Sequence, residues 1–569
     1  VVHLSYTNGK LSGVVLKDQT ANTIREVSFT YNANGLIERI RRDNDADTDI
    51  EFSYVEAGGG IFLANFEDQD GYSTNLNYFS APSAAGAKYR TTRQNAQGGE
   101  VIFDFDANYN LLEMTLERHN GASFAPVHTY TYGANRLLAS ESDGATTTTY
   151  QYNALGLPTQ VATTGGQTLT MTYNGADILT AADQNGTFLT FTYTDQQNPH
   201  QPTTATDAAG NTWNMTFNAY GQMTELEPPA GSASAETVFD YEEDGQSPDY
   251  GYLRTVTNGE GEALTLDSYS PLGNVTSVTT SPSLGIYNTT QYEYDPARRL
   301  TELTLPDSIT RQWSYSGYML DSALDENASA TSFEWCKGCG KPKQVSSPLN
   351  KDIQWAYTND RALAGFIDAL THQTSYTYGD AGELTREDYP DGSYYTYEYD
   401  DYGRFKRRID SRGAFERANT RDAAGRVTLI DYNNPWQTAT TFTYYADDRL
   451  NEVGDESGIT THYYDSARRI QRVRTDFSRS GLTRIQEVEY TYYPDNLVNT
   501  MAWRDNGNTV ATWTYTYDGA GRMTGLTNTF GDSITYVYDD EGKLVSQTNG
   551  NGTSTEYEYY QPRGWVNSI

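Results

Sequence analysis

Apolar and polar residues alternate along most of this chain in short runs that end in an acidic or amide residue and, three positions later, a glycine. In "YEYDDYGRF", Tyr397 and Tyr399 fall on one face of an extended segment and Glu398 on the other, the period-two pattern of a half-buried strand. Asp518-Gly519-Ala520-Gly521, Asp422-Ala423-Ala424-Gly425, Asp539-Asp540-Glu541-Gly542 and Asn153-Ala154-Leu155-Gly156 then match a type I turn. The Asp or Asn side chain accepts from the turn backbone, and the glycine takes the left-handed conformation that closes a hairpin with a bulge. Arg or Lys follows, then an aliphatic residue or Met, then Thr or Val, as in "GRMTGLT", "GRVTLID" and "GKLVSQT". That reads as the returning strand. Asp295-Pro296-Ala297-Arg298 and Asp465-Ser466-Ala467-Arg468 put Arg where Gly is expected, so those hairpins either strain or use another turn.

The unit repeats. Tyr515-Thr516-Tyr517-Asp518 returns as Tyr536-Val537-Tyr538-Asp539 and as Tyr557-Glu558-Tyr559-Tyr560, in steps of 21 residues. With the second aromatic of each pair as marker, among them Tyr294, Tyr315, Tyr378, Tyr399, Tyr517, Tyr538 and Tyr559, there are 25 units, mostly 20 to 28 residues apart. An isolated hairpin is marginal in water, so the units must pair edge to edge. About 50 strands at about 4.8 Å make roughly 240 Å of sheet, whereas a barrel filled by its own side chains uses about eight strands. A sheet of that length with a sustained twist must coil, and a coiled single layer can enclose a hollow.

Composition supports a thin wall. Apolar residues make 37% of the 569, and exchanging the 47 Tyr for the 49 Gly leaves the figure nearly unchanged, below the roughly 45–50% of ordinary domains. Aromatic residues nevertheless make 13%, too many for a disordered chain. Tyrosine is expected to set its ring against neighbours and its hydroxyl in water. A net charge of −35 disfavours nucleic acid and anionic membrane surfaces as partners. No apolar run approaches the roughly 20 residues of a membrane-spanning helix, so this segment is not expected to insert in a membrane. The start, "VVHLSYTNGK", is neither Met nor a signal peptide, and the end, "YYQPRGWVNSI", falls midway through a returning strand. Both ends read as those of a piece of something longer.

The repeated Tyr-Asp-x-x-Gly-Arg-Leu pattern resembles the YD-repeat, or Rhs (rearrangement hotspot), family of bacterial Rhs toxins, toxin-complex shell components and teneurin ectodomains. The likeness is strongest from Tyr292 to Tyr559 and weakest before Tyr130. It implies an all-β fold, tandem YD-repeat hairpins wound into a large spiral β-sheet shell, a hollow cocoon. It also implies a secreted or cell-surface location and an enclosed polypeptide cargo such as a C-terminal toxin held inactive until delivery. Residues 1–127, with the insertions "EAGGG" and "APSAAGAK", read as divergent repeats that cap or line the wall, and 128–569 as the shell proper. Toxin-bearing members close the shell with Asp-Pro-rich segments and an aspartyl autoprotease. Tyr294-Asp295-Pro296 sits inside an ordinary repeat instead.

Other candidate chemistry is sparse. Cys336 and Cys339, the only cysteines, form a CxxC where a turn belongs; a local disulfide stapling an expanded turn is the leading reading and a shared metal site the lesser one. Asp43, Asp45, Asp47 and Asp49 alternate in "RRDNDADTDIE", a spacing able to wrap calcium in a loop, although Thr48 replaces the EF-hand glycine; a solvated acidic loop is preferred. No cofactor is required. The six His are dispersed and no general acid and base stand out. The reading is therefore a non-enzymatic shell or scaffold that meets its cargo or a neighbouring shell or surface protein. The alternative is an adhesion or glycan-binding module using outward aromatics such as Tyr394, Tyr395 and Tyr397, and less favoured still is a polysaccharide-active enzyme.

Overall fold

The computed structural model describes residues 2–17, 23–42, 45–57, 60–68, 73–79, 84–94, 100–117, 123–133, 135–283, 286–336, 340–349, 351–358, 361–379, 382–400, 402–413, 415–432, 438–479, 482–560 and 565–569. Among them lie 51 strands and no helix, close to the two strands per repeat expected. Forty-nine strands belong to one long antiparallel sheet, and Glu558–Tyr560 pairs with Trp565–Ser568 in a separate ribbon. The chain is all-β.

Pairing runs between sequence neighbours, because each four-residue turn returns the chain directly beside the strand it has left. Asn508–Tyr517 pairs with Met523–Asn528 through Tyr515 opposite Leu526, Thr516 opposite Gly525 and Tyr517 opposite Met523, so the register slips by one between Thr516 and Tyr517. The same slip falls just before Tyr315, Tyr378, Tyr399, Tyr538 and Tyr559. The marker aromatic is thus the residue at the bulge, re-aimed by the extra residue on the returning strand.

The sheet buries little. Strands such as Ser533–Tyr538 and Asp352–Tyr357 alternate half-buried and exposed positions in their second half. Among the described residues, the buried hydrophobic side chains are Val101, Ile102, Met319, Cys336, Ile430 and Ala511, and buried polar or charged ones outnumber them. Buried acids are paired. Asp104, 1% exposed, takes Arg90 Nε at 2.7 Å, Arg90 NH2 at 2.8 Å and the Ala84 N–H at 2.9 Å. Removing one member of such a pair costs about 3–5 kcal/mol.

The acidic stretch expected as a loop is a strand, Asp45–Ala57. Asp49 is buried, and Arg41 engages both its oxygens, at 2.7 and 2.6 Å. Alternation favoured extension here because strand pairing with Ile37–Arg42 supplies arginines opposite the acids. Asp43 and the side chains of Asp45 and Asp47 lie outside the described residues. Cys336 is fully buried and disulfide-bonded, between Ala330–Trp335 and Pro342–Ser346; Cys339 lies outside the described residues.

The chain forms two compact units, and these cut across the boundary at residue 128 drawn from repeat quality. One comprises 1–149, 294–302 and 311–437; the other comprises 150–293, 303–310 and 438–569.

Candidate functional site

With a sheet this poor in core, whatever the protein does rests on how its repeats hold one another. The turn comes first. The Asp518 N–H donates to the Arg522 carbonyl and the Gly521 N–H to the Asp518 carbonyl, both at 2.9 Å. One carboxylate oxygen of Asp518 accepts from the N–H groups of Ala520 and Arg522, at 3.1 and 2.9 Å, and the other from Arg522 Nε at 2.7 Å. Asp422 repeats the set with Ala424 and Arg426, and Asp539 the backbone part with Glu541 and Lys543. Gly425, Gly521 and Gly542 have φ of 81°, 77° and 80°. Burial alone would raise the Asp422 carboxyl, but the bonds from Arg426 outweigh it and hold the group below its ordinary range.

The turns that lack glycine do not switch type. Arg298 and Arg468 adopt φ of 67° and 68°, and Arg298 N–H still donates to the Asp295 carbonyl at 2.8 Å. They accept a left-handed backbone that an L side chain ordinarily avoids, at a cost of about 1–3 kcal/mol. For Arg468 the compensation is visible: its guanidinium pairs with Asp183 and lies 3.9 Å over the Phe188 ring.

The second link joins one repeat to the next. Tyr538 Oη donates to the Met523 carbonyl at 2.8 Å, Tyr559 to Leu544 at 2.8 Å, Tyr517 to Val498 at 2.9 Å, Tyr399 to Leu384 at 2.8 Å, Tyr378 to Leu363 at 2.9 Å and Tyr315 to Leu300 at 2.8 Å. Trp335 does the same with its indole N–H, to Leu320 at 2.6 Å. Tyr294 closes the strand Ile286–Tyr294 and leads into the Asp295 turn. The expectation that these hydroxyls point to water is therefore corrected: the bulge aims the marker phenol at the main chain of the preceding repeat. Burial raises the phenols of Tyr315, Tyr378, Tyr399, Tyr517 and Tyr538, which keeps each a neutral donor.

A third link uses the turn cation. Arg522 lies over the Tyr538 ring at 5.0 Å, Arg299 over Tyr315 at 4.3 Å, Arg449 over Tyr464 at 4.4 Å and Arg469 over Tyr492 at 4.4 Å. The recurring Tyr, Asp, Gly and Arg thus form one interlock: Asp shapes the turn and orients Arg, Arg covers the next Tyr, and that Tyr bonds back to the residue beside Arg. Each such cation–ring contact contributes about 0.5–1 kcal/mol at an exposed site, and each neutral hydrogen bond about 1 kcal/mol.

A fourth set of contacts joins distant repeats within each unit. In the second unit, Asp495 Oδ2 accepts from Ala233 N–H, Ser234 N–H and Ser234 Oγ, at 3.1, 2.8 and 2.7 Å. Glu541 Oε1 accepts from Thr280 and Asn288, at 2.6 and 2.7 Å, and Asp447 Oδ2 from Asn185 at 2.6 Å. Arg522 reaches Glu262 at 2.8 Å. Gly259 and Gly519 touch backbone to backbone: a Cβ on Gly519 would fall 2.6 Å from the Gly259 carbonyl oxygen. In the first unit, Thr146 Oγ1 donates to the Ala423 carbonyl at 3.1 Å, and Arg42 lies 5.6 Å over Tyr318. These hydrogen-bonded partners are 253 to 277 residues apart in sequence, and most pass through a carboxylate in a turn. Sequence reasoning missed this seam, since those turn acids carry no pattern of their own.

Tyr394, Tyr395 and Tyr397, expected as outward aromatics, are half-buried. Arg386 covers Tyr394 at 3.7 Å, Arg408 covers Tyr395 at 4.2 Å, and Tyr397 donates to Glu387 at 2.6 Å. Burial and then Glu387 push the neighbouring Tyr389 phenol up to about 12. No group of three or more His, Cys, Asp or Glu fit to hold a metal occurs among the described residues. No helix there is long and apolar enough to cross a membrane.

The RHS repeat family matches this chain at residues 269–310 and 538–569. No curated protein matches it in sequence. It is similar to the solved TcdB2-TccC3-TEV structure at 11% identity and a TM-score of 0.45, over 97% of this chain and 34% of that one. A structure of the Photorhabdus luminescens Tc holotoxin pore with a mutated TccC3 aligns at 11% identity and a TM-score of 0.44, over 99% and 34%. TcdB2-TccC3 without its hypervariable C-terminal region gives 10% and 0.46, over 99% and 35%. The chain spans about a third of the length of these neighbours. The two segments that match the RHS repeat carry the same hairpins, bulges and tyrosine links as the rest of the sheet.

Proposed function

We propose that the chain is a non-catalytic wall segment of a secreted or cell-surface shell, which encloses a polypeptide cargo such as a toxin domain. The observation that carries this reading is the two-directional linkage of the sheet. Neighbouring repeats are locked by tyrosine hydroxyls, and within each unit turns more than 250 residues apart rest on one another. A sheet held in both directions resists opening without a hydrophobic interior, which suits a container wall better than a compact domain. The strong negative charge keeps such a large open surface soluble.

The test is protection. A passenger domain encoded downstream of the full-length shell is challenged with protease before and after the seam is disrupted by Gly519→Val. Protection in the parent and cleavage in the variant are expected. Equal cleavage in both would overturn the enclosing role.

A further inference from the structure

The turn after Tyr241 departs from the interlock. A regular repeat passes from Tyr517 to Met523 through five residues, but between Thr237–Tyr241 and Leu253–Thr257 the chain runs through eleven. The expanded loop is closed by Glu242 N–H to the Tyr252 carbonyl at 2.9 Å and Gly251 N–H to the Glu242 carbonyl at 2.8 Å. It brings two tyrosines to the surface beside a third: Tyr220 is 72% exposed, Tyr250 44% and Tyr252 37%. The Tyr220 and Tyr250 rings meet edge to face at 6.1 Å with their hydroxyls bonded. Gln222 ties Tyr220's own turn to the Gly251 carbonyl at 2.7 Å, and Tyr252 stacks on Tyr269 at 4.6 Å.

This ledge lacks the cation that regular repeats supply. Tyr252 and Gln222 stand where Arg522 and Arg299 stand elsewhere, immediately before a carbonyl that accepts from the next marker tyrosine. Between Arg136 and Arg298 the only lysine or arginine is Arg254, and Glu242 holds it at 2.7 Å. Carboxylates remain. Neither Glu243 nor Asp249 has a side-chain hydrogen bond or ion pair among the described residues. Glu243 lies in the same expanded loop as Tyr250, and it adds to the upward shift of that phenol after the hydrogen bond from Tyr220, partial burial and the charge of Tyr220. A cleft of about 380 Å³ is lined in part by Phe239, Glu242, Glu243 and Arg254, at the start of the same loop.

We propose that the Tyr220, Tyr250 and Tyr252 ledge is a docking surface for an extended basic peptide segment of another protein, whose Arg or Lys side chains lie over the rings and beside Glu243 and Asp249. The chemistry is the protein's own: Arg299 over Tyr315, oriented by Asp295, is ring, cation and carboxylate together. At the ledge the ring and the carboxylate are in place, and the partner brings the cation. A guanidinium flat on a phenol beside a carboxylate gains from both at once, while the surrounding negative field speeds its approach. The proposal does not depend on what the wall encloses.

A labelled oligo-arginine peptide is titrated by fluorescence anisotropy against the whole chain, with oligo-glutamate and a neutral oligosaccharide as comparison probes. Tyr220→Ala with Tyr250→Ala, and separately Glu243→Gln with Asp249→Asn, are each expected to weaken oligo-arginine about tenfold. Asp540→Asn with Glu556→Gln removes equal charge from exposed positions elsewhere and is expected to leave affinity unchanged. Circular dichroism identical to the parent verifies that the exposed substitutions fold. Equal weakening by both charge pairs means a diffuse field and overturns the site. Unchanged affinity in the tyrosine variant, or saccharide binding lost there with no oligo-arginine binding in the parent, overturns it as well.

Discussion

Within the second unit, residues 150–293 and 438–569 build the same hairpins from different materials. The later stretch carries eleven Lys and Arg against eighteen carboxylates; the earlier carries Arg254 alone against sixteen. Yet the earlier stretch keeps the tyrosine link: Tyr173 donates to the Pro158 carbonyl at 2.8 Å, Tyr193 to Ile178 at 2.9 Å and Tyr241 to Met223 at 3.0 Å. Leu157, Asp177 and Gln222 stand there in place of the arginine. The stacked cation is thus an accessory, and the phenol-to-carbonyl bond with its turn is the element the fold requires. The two stretches also divide their labour at the seam, where Arg468 and Arg522 of the later one answer Asp183 and Glu262 of the earlier.

The comparison breaks hardest where the stretches touch. Gly259→Val places a side chain against the Gly519 backbone and is expected to cost about 3 kcal/mol, read as a lowered denaturant midpoint with the slope unchanged. Next in size is acid. Asp447 and Glu541 are held below their ordinary range: burial opposes this, but Arg449 and then, for Glu541, Lys543, Thr280 and Asn288 prevail. A depressed carboxyl stabilises the fold above its unfolded pKa and loses that contribution as pH falls through the folded value. The seam is therefore expected to keep full protection near neutrality and to lose it below about pH 4, read by hydrogen exchange at the side-chain amides of Asn185, bound to Asp447, and Asn288, bound to Glu541. Exchange there that does not change on acidification would remove the carboxylates from the account.

Smaller effects sharpen the contrast. Tyr193→Phe and Tyr538→Phe are each expected to cost about 1 kcal/mol in urea unfolding, equally despite the missing arginine beside Tyr193. A loss confined to Tyr538→Phe would restore the cation to the essential set. Smallest is Gln222→Arg, which supplies the absent stacking cation for Tyr241 and is expected to gain about 0.5 kcal/mol in the same measurement.

Much of this was legible in the chain. Alternating Tyr397, Glu398 and Tyr399 gave the strand, and Asp518 to Gly521 gave the turn and bulge, because both are local and each has its own residue signature. The partner of each marker hydroxyl was not legible, since the acceptor is a main-chain carbonyl that every residue possesses. The seam was hidden for another reason: Asp495 and Ser234 are 261 residues apart, and nothing in either turn names the other. Asp49 misled because alternating acids look solvent-facing until a neighbouring strand sets Arg41 beside them. At Arg468 the sequence left open a strained turn or another turn type, and the turn is the strained one, paired with Asp183.

That the phenol finds its acceptor on the backbone has a consequence for how such a molecule changes over time. The receiving position holds Pro158, Ile178, Met223, Leu300 or Val498 without altering the bond, so substitutions there do not demand an answering change next door. Units can drift, be duplicated or be exchanged within the array, and a newcomer still fits its neighbours as long as it brings one phenol and one tight reversal of the chain.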